Sequence, residues 1–233
     1  MRPITMNRIV LTATLLAAFS LPAAAQLSAP PNTGNSFKDT SSLKPPAGAK
    51  VAIIKFEDLE CPACAHAYPI VHAAAERYKI PIVRHDFPLR MHVWSRDAAI
   101  TARYLQDKVS PQTADEFRGA VFAAQNSIAS KEDLSNFTRR FFQSHKLNQP
   151  FVIDPSGLFA AEVNADYTLG ERIGISQTPT IWVVTQKNWV QITDTNLLYS
   201  TIDQAEAQVA QDTPGKTATA ANSKLRHAST PQR

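Results

Sequence analysis

The chain has 233 residues, of which 24 are Lys or Arg and 20 are Asp or Glu, giving a formal net charge of +4. A balance this close to neutral favours no particular class of partner, and we expect no nucleic acid among the partners. The length suits one domain with a sizeable core, or a core that carries an insertion.

The first 25 residues have the pattern of a secretory signal peptide. Arg2 and Arg8 precede a short apolar run over residues 9–21, and three alanines ending at Ala25 follow it. An uncleaved membrane anchor is the alternative, but the run is shorter than the roughly 20 residues that a spanning helix needs. We therefore expect an exported protein that is cleaved near Ala25 and whose mature chain has a net charge of +2.

The next segments predict a leader, a strand and a helix. Residues 26–48 are rich in Pro, Ser, Asn and Thr, which predicts a flexible leader. The apolar run over residues 50–56 predicts a strand buried on both faces. Residues 61–78 predict a helix, because Pro62 suits a first helical position and apolar residues recur with helical spacing. Pro69 lies inside this helix and is expected to kink it.

The two cysteines of the chain, Cys61 and Cys64, are spaced C-x-x-C where that strand gives way to that helix. A structural framework needs cysteines at spread positions, and a bridge that closes so short a loop removes little chain entropy. We therefore interpret the pair as reactive thiols. A thiolate at a helix N-terminus faces unpaired backbone N–H groups and the positive end of the helix dipole, so its pKa is lowered.

The rest of the chain predicts strands on either side of a block of helices. Residues 80–87 predict a second strand. Four predicted helices follow, at residues 94–109, 113–125, 131–146 and 157–173. A predicted hairpin and a closing helix come next, at residues 180–184, 189–192 and 196–210. Residues 212–233 are polar and predict a disordered tail. This order predicts an α/β fold in which one mixed sheet is covered on both faces.

Three stretches carry a resemblance to a known family. They are residues 55–64 (KFEDLECPAC), 87–92 (FPLRMH) and 177–180 (QTPT). Together with the element order and the export signal, they resemble the DsbA-like branch of exported thiol–disulfide oxidoreductases, which have the thioredoxin fold with an inserted helical domain. The resemblance implies a thioredoxin-fold domain over residues 49–93 and 175–211, and an inserted domain over residues 94–174.

The resemblance also implies roles for individual residues. Cys61 would be the exposed nucleophile and Cys64 its buried partner, joined in a redox-active disulfide that needs no other cofactor and no metal. Pro179 would follow a cis peptide bond and face the disulfide, with Thr178 beside it. A cis-proline there leaves strand-edge groups free to bind an extended substrate segment.

Partners and location follow from the same resemblance. It implies a periplasmic protein that introduces disulfides into reduced or unfolded exported proteins. A membrane redox partner would reoxidise the site, or reduce it if electrons flow the other way. We expect a monomer.

The sequence departs from the strongly oxidising members between and before the cysteines. Pro62 is followed by Ala63, which has neither charge nor donor to stabilise a thiolate, where those members have Pro-His. Three carboxylates that would raise the cysteine pKa values if close stand just upstream: Glu57, Asp58 and Glu60. Lys55 occupies the place of a buried acid that many members use in proton transfer. Its positive charge either counters the effect of these acids on the cysteine pKa values, or its ammonium group snorkels to solvent from a strand edge. Lys55 and Glu57 are therefore possible tuning residues, and we predict an oxidant milder than the strongest members.

Other interpretations of the same residues remain open. His66 could tune the site, but helical geometry turns it away from Cys61, so we favour a surface position. A metal site formed by Cys61, Cys64 and His66 is the alternative, although a structural zinc site usually needs a second, distant pair of ligands. A disulfide isomerase or reductase of the same fold, and a chaperone or binding module whose thiols do little, are the other candidate functions.

Overall fold

The computed structural model describes residues 37–212. The expected signal peptide, the first part of the expected leader and all but the first residue of the expected tail lie outside the described residues. The strands are β1 (Val51–Glu57), β2 (Ile82–Asp86), β3 (Thr180–Thr185) and β4 (Trp189–Ile192). The helices are α1 (Pro62–Tyr78), α2 (Ser95–Lys108), α3 (Pro111–Ala124), α4 (Lys131–Ser144), α5 (Leu158–Ile173) and α6 (Leu198–Asp212). Each of these elements was predicted from the sequence, with small differences at the ends.

The four strands form one mixed sheet in the order β2-β1-β3-β4. Strand β1 is parallel to β2 and antiparallel to β3, and β3 is antiparallel to β4. Because β1 is a central strand, all seven of its residues are buried, as its apolar run predicted. Phe56 stands opposite His85 on one side and Thr180 on the other. The mixed sheet confirms the predicted fold class.

Alternation along β1 sends its side chains to two faces of the sheet. Val51 and Ile53 pack with residues of α1 and α6, whereas Ile54 and Phe56 pack on the opposite face with the end of α5. Helices α2, α3 and α4 build a third apolar cluster of their own, which also encloses Cys61. The cysteines therefore lie where the sheet domain meets the helical block.

Two helices of the block begin at serine side-chain caps. Ser110 Oγ accepts a hydrogen bond from the backbone N–H three residues later at the start of α3 (3.0 Å), and Ser130 Oγ does the same for α4 (3.1 Å). Helix α5 begins at Leu158, one residue after the expected start at residue 157. Gly157 precedes it with a φ of 72°, a left-handed conformation that favours glycine.

Helix α5 approaches the end of β2 very closely. A Cβ atom on Gly170, inside α5, would lie 2.5 Å from the ring of Phe87. The same Phe87 ring stacks on Tyr167, one turn earlier in α5, with ring centroids 4.6 Å apart. Glycine at this position allows the helix to lie against the sheet.

The end of the expected leader, residues 37–48, packs against the sheet. The ring of Phe37 contacts Trp182 edge-on, with centroids 5.3 Å apart, and Leu43 is 2% exposed. Among the helices of residues 37–212, none is both long and apolar enough to cross a membrane.

Candidate active site

Cys61 is the N-cap residue of α1. Its backbone is extended (φ −82°, ψ 119°) and its carbonyl accepts the first helical hydrogen bond, from Ala65 N–H (3.1 Å). Pro62 occupies the first turn, as predicted, and Cys64 lies within that turn. Both cysteines are free thiols. Cys61 is 7% exposed and Cys64 3%, so Cys61 is less open than the resemblance implied.

The loop before β3 lies against the Cys61 thiol. The Thr178–Pro179 peptide bond is cis, as the resemblance implied, and Cys61 Sγ donates a hydrogen bond to the Thr178 carbonyl (3.3 Å). The Thr178 side chain is buried as well, and its Oγ1 atom has no hydrogen-bond partner among the described residues. Residues 117 positions apart in the chain thus meet at one sulfur atom.

The two thiols have opposite pKa shifts. A hydrogen bond from the Cys64 thiol contributes most to lowering the pKa of Cys61 to about 6, and Thr178 and the backbone of Ala63 and Cys64 add to it against the opposing effect of burial. Burial raises the pKa of Cys64 well above its ordinary value, and the hydrogen bond to Cys61 raises it further. Near neutral pH, Cys61 is therefore the thiolate and Cys64 the protonated thiol.

A buried ion pair lies beneath the first turns of α1. Lys55 Nζ is 2.6 Å from Glu57 Oε2 and 5.1 Å from the ring centroid of Tyr68 in α1. The hypothesis that Lys55 snorkels from a strand edge is wrong, because β1 is central and Lys55 is 3% exposed. Burial lowers the pKa of Lys55, and Glu57 opposes that shift. Burial would raise the pKa of Glu57, but Lys55, Arg84 and Arg118 together hold it below its ordinary value.

Glu57 is one end of a larger charged cluster that joins the sheet to the helical block. Arg118 of α3, with a side chain 1% exposed, binds both carboxylate oxygens of Asp86 (2.6 and 3.0 Å). Arg103 of α2 pairs with Asp86 (2.6 Å) and with Asp166 of α5. The cluster thereby ties the end of β2 to three helices. Spacing along the sequence carried no signal for it, because its members come from five different elements.

The acids nearest Cys61 in the sequence bind groups other than its thiol. Asp58 accepts hydrogen bonds from Leu89 N–H (2.6 Å) and His92 Nδ1 (2.7 Å). Glu60 accepts from the backbone N–H groups at the start of α2, including that of Trp94 (2.7 Å). The pKa of Cys61 is lowered, chiefly by hydrogen bonds from Cys64, Thr178 and the local backbone. Glu57 does raise the pKa of Cys64, as a minor contribution.

Gln125 is a site residue that the sequence did not reveal. Its Nε2 group donates hydrogen bonds to the carbonyls of Leu59 (2.7 Å) and Cys61 (3.1 Å) from the end of α3. It therefore holds the turn that carries the nucleophile. A glutamine at a helix end has no distinctive pattern, so sequence reasoning had no means of selecting it.

The other predicted site residues are divided between the interior and the surface. Ala63 is partly buried and packs on the cluster that encloses the cysteines. His66 is exposed, on the helix surface as favoured. Within residues 37–212, no group of three or more His, Cys, Asp or Glu side chains is placed to hold a metal ion.

Comparison with known proteins identifies the family. A family model described as thioredoxin matches residues 46–224, which is more than half of the chain. No curated protein gives a significant match.

Solved structures resemble the chain over most of its length. α-DsbA1 from Wolbachia pipientis is 16% identical, with a TM-score of 0.60 over 72% of this chain and 92% of its own. DsbA2 from Pseudomonas aeruginosa is 18% identical, with a TM-score of 0.55 over 74% and 95%. A periplasmic thioredoxin-like protein from Salmonella enterica serovar Typhimurium is 12% identical, with a TM-score of 0.54 over 76% and 93%. These likenesses confirm the predicted thioredoxin fold with its inserted helices.

Proposed function

The chain belongs to the thioredoxin family, and from this membership and the geometry of its thiols we propose that it is a thiol–disulfide oxidoreductase that donates disulfides to exported proteins. The proposal depends chiefly on the position of Cys61 as the N-cap of α1 with Cys64 in the first turn, where the Cys64 thiol lowers the pKa of Cys61 to about 6. A stable thiolate favours the reduced form of the protein, and a protein whose reduced form is favoured is an oxidant. The likeness to DsbA-type proteins supports the same class of reaction.

The reaction begins with the Cys61–Cys64 disulfide. A substrate thiolate attacks Cys61 Sγ, the bond between the two cysteines breaks, and Cys64 leaves as a thiolate that takes up a proton. A second substrate thiolate then attacks the substrate sulfur of this mixed disulfide and releases Cys61 as a thiolate. The substrate has lost two electrons and gained a disulfide, while the protein has become a dithiol.

The groups around the two cysteines assist these steps in different ways. The Cys64 thiol and the Thr178 side chain stabilise Cys61 as the leaving thiolate of the second step. Lys55 lies beneath α1, and its positive charge is favourable for a Cys64 thiolate. The loop at Pro179 lies beside the reacting sulfur, where an extended substrate segment can bind through main-chain hydrogen bonds. No group other than the cysteine pair is required as a cofactor.

The proposal includes a location and partners. The signal-peptide pattern supports export to the periplasm, where reduced exported proteins are the substrates and a membrane redox partner reoxidises the dithiol. Mass determination of the exported protein tests the first of these, since cleavage near Ala25 predicts a mature N-terminus at Gln26. For trapping, Cys61 of the Cys64→Ser variant is first joined to a small thiol in a mixed disulfide. A reduced substrate thiolate is then expected to attack Cys61, release the small thiol and remain bound as a new mixed disulfide.

Transfer of a disulfide to a reduced, unfolded protein tests the activity directly. The oxidised wild-type protein is expected to form disulfides stoichiometrically in such a substrate, and Cys61→Ser is expected to form none while it keeps its fold. Transfer that survives in Cys61→Ser would refute the proposal. The in-vivo redox state of the pair separates the directions of electron flow, because a donor of disulfides is mostly oxidised, whereas an isomerase or reductase is mostly reduced.

A further inference from the structure

A groove of about 360 Å³ lies between the segment that follows β2 and helices α2 and α5. Three basic side chains line it: Arg90, Arg96 and Lys131. Leu89, Val93 and Tyr167 contribute apolar surface to the same groove. We call this concavity the basic groove.

The positive charge of the basic groove is only partly balanced. Arg96 donates to the neutral amide oxygen of Asn164 (2.7 Å), a contact that leaves its charge uncompensated. Arg90, which is 87% exposed, interacts with the Tyr167 hydroxyl and forms a long ion pair with Glu171 (3.9 Å), which is weak at the surface. Lys131 pairs with Asp97 (2.9 Å) at the surface, where such a pair is weak. Two guanidinium groups are therefore available to a carboxylate, which they bind in a planar, bidentate manner.

The basic groove is connected to the active site through the segment that forms its wall. Asp58 holds Leu89 and His92 of this segment, and Glu60 holds Trp94. Both acids belong to the turn that immediately precedes Cys61. The wall is thus fixed relative to the nucleophile, although its outer side chains are open: Met91 is 78% exposed and Val93 57%.

We propose that the basic groove binds an acidic segment of the substrate polypeptide beside its reacting cysteine. This inference rests on the proposed disulfide exchange and names the class of substrate that the exchange favours. Guanidinium groups next to apolar surface fit carboxylate side chains interspersed with apolar ones, as in an extended peptide. A bare inorganic anion would leave the apolar wall unused. Exposed charges of opposite sign act chiefly by making the encounter between protein and substrate faster and more selective. The preference of the groove for acidic segments is therefore expected to weaken as salt is added.

Two matched peptides test the proposal without depending on the redox chemistry. Each carries serine in place of cysteine, flanked either by glutamates or by the same number of glutamines, and binding is measured by fluorescence anisotropy. We expect the wild-type protein to bind the glutamate peptide about three- to tenfold more tightly, an advantage that disappears at high salt. The variant with Arg90→Gln and Arg96→Gln is expected to lose the advantage. Arg77→Gln is expected to keep it, since Arg77 lies over the rings of Tyr78 and Tyr199 instead.

Exchange with the cysteine forms of the same peptides gives the second measurement. The glutamate peptide is expected to be oxidised faster by the wild-type protein, and a small neutral dithiol is expected to react equally with the wild-type protein and the double variant. Equal binding of the two serine peptides, or a glutamate preference that survives the double substitution, overturns the proposal. Failure of every thiol to react refutes the proposed function instead, and the serine peptides still decide the role of the groove.

Discussion

The ammonium group of Lys55 lies 2.6 Å from Glu57 Oε2 on the central strand, and neither side chain is more than 4% exposed. Glu57 also accepts ion pairs from Arg84 (2.7 Å) and Arg118 (3.3 Å). One carboxylate is thus shared by three cations. The two members of the pair are therefore unequal, because Lys55 has one acidic partner here whereas Glu57 has three basic ones.

This inequality predicts different costs for removing the two charges. Glu57→Gln leaves three buried or half-buried cations without their common carboxylate, and we expect it to reduce the free energy of unfolding by about 3–5 kcal/mol. Lys55→Met leaves Glu57 with two arginines and places an apolar chain in a buried position, so we expect a cost below about 2 kcal/mol. Urea unfolding of the two reduced variants measures both values. An equal loss in the two variants would contradict the interpretation.

Because the pKa of Asp86 is lowered in the folded protein, we expect the protein to lose stability in acid. Burial opposes ionisation of Asp86, but Arg118 and Arg103 outweigh burial and lower its pKa from 3.8 to about 2. A depressed pKa contributes stability that is present above pH 3.8 and lost as the pH falls through about 2. The contribution is about 2 kcal/mol. In urea unfolding across this pH range, Asp86→Asn is expected to lower stability at neutral pH and to flatten its dependence on acid. A variant as acid-sensitive as the wild type would show that another carboxylate carries the effect.

The Cys64 thiol makes the largest contribution to the lowered pKa of Cys61. Absorbance of the thiolate near 240 nm, followed against pH in the reduced protein, is expected to show a transition near pH 6, with thiolate above it and thiol below. Cys64→Ala removes the donor, so the transition is expected to move to higher pH. Cys64→Ser keeps a hydroxyl donor at the same place and is the matched control, with a smaller expected shift. Identical transitions in the two variants would exclude the hydrogen bond as the cause.

The unpartnered hydroxyl of Thr178 is the second donor near Cys61. It is buried, it lowers the pKa of Cys61, and a thiolate would supply the acceptor that it lacks. Thr178→Val keeps the shape of the side chain and the backbone carbonyl, so we expect the pKa of Cys61 to rise by less than it does in Cys64→Ala. Stability is expected to change by less than about 1 kcal/mol, since no existing hydrogen bond is lost. Thr178→Ser, which retains the hydroxyl, is expected to titrate like the wild type.

The residue between Pro62 and Cys64, Ala63, is expected to affect the reduction potential of the cysteine pair. It carries no charge between the cysteines, so we expect a reduction potential less oxidising than that of family members with a Pro-His pair. Ala63→His is expected to favour the reduced protein about tenfold, because an imidazolium beside the thiolate stabilises it, and this corresponds to about 30 mV. Redox equilibration with glutathione measures the potential. Ala63→Gln, which adds size without charge, is expected to remain near the wild type.

The sequence was sufficient for the architecture because its strongest signals are local. The apolar run of β1, the proline after Cys61 and the serine caps of α3 and α4 each depend on residues close together in the chain. The cis peptide bond at Pro179 is different. A single X-Pro bond carries little information about its isomer, and only the family resemblance indicated it.

The electrostatics of the site could not be predicted in the same way. Glu57, Asp58 and Glu60 are neighbours in sequence, but the end of the strand and the turn direct them to three different sets of partners. Position in the sequence therefore does not show which of these carboxylates affects the pKa of a cysteine. The interpretation that Lys55 snorkels was wrong for a related reason, because the sequence does not state whether a strand lies at the edge or the centre of its sheet. The other interpretation, a charge that opposes the nearby acids, agrees with the ion pair between Lys55 and Glu57. The partners of these acids and the central position of β1 both depend on contacts between distant segments of the chain.

The close contact between Gly170 and Phe87 has a consequence for how this protein tolerates mutation. Helix α5 leads directly into the loop that delivers the Thr178 carbonyl to Cys61, and any side chain at position 170 would collide with the Phe87 ring. In a saturation library scored for disulfide transfer, Gly170 should accept almost as few replacements as the cysteines themselves. A position that never contacts the substrate would then rank among the most constrained in the chain.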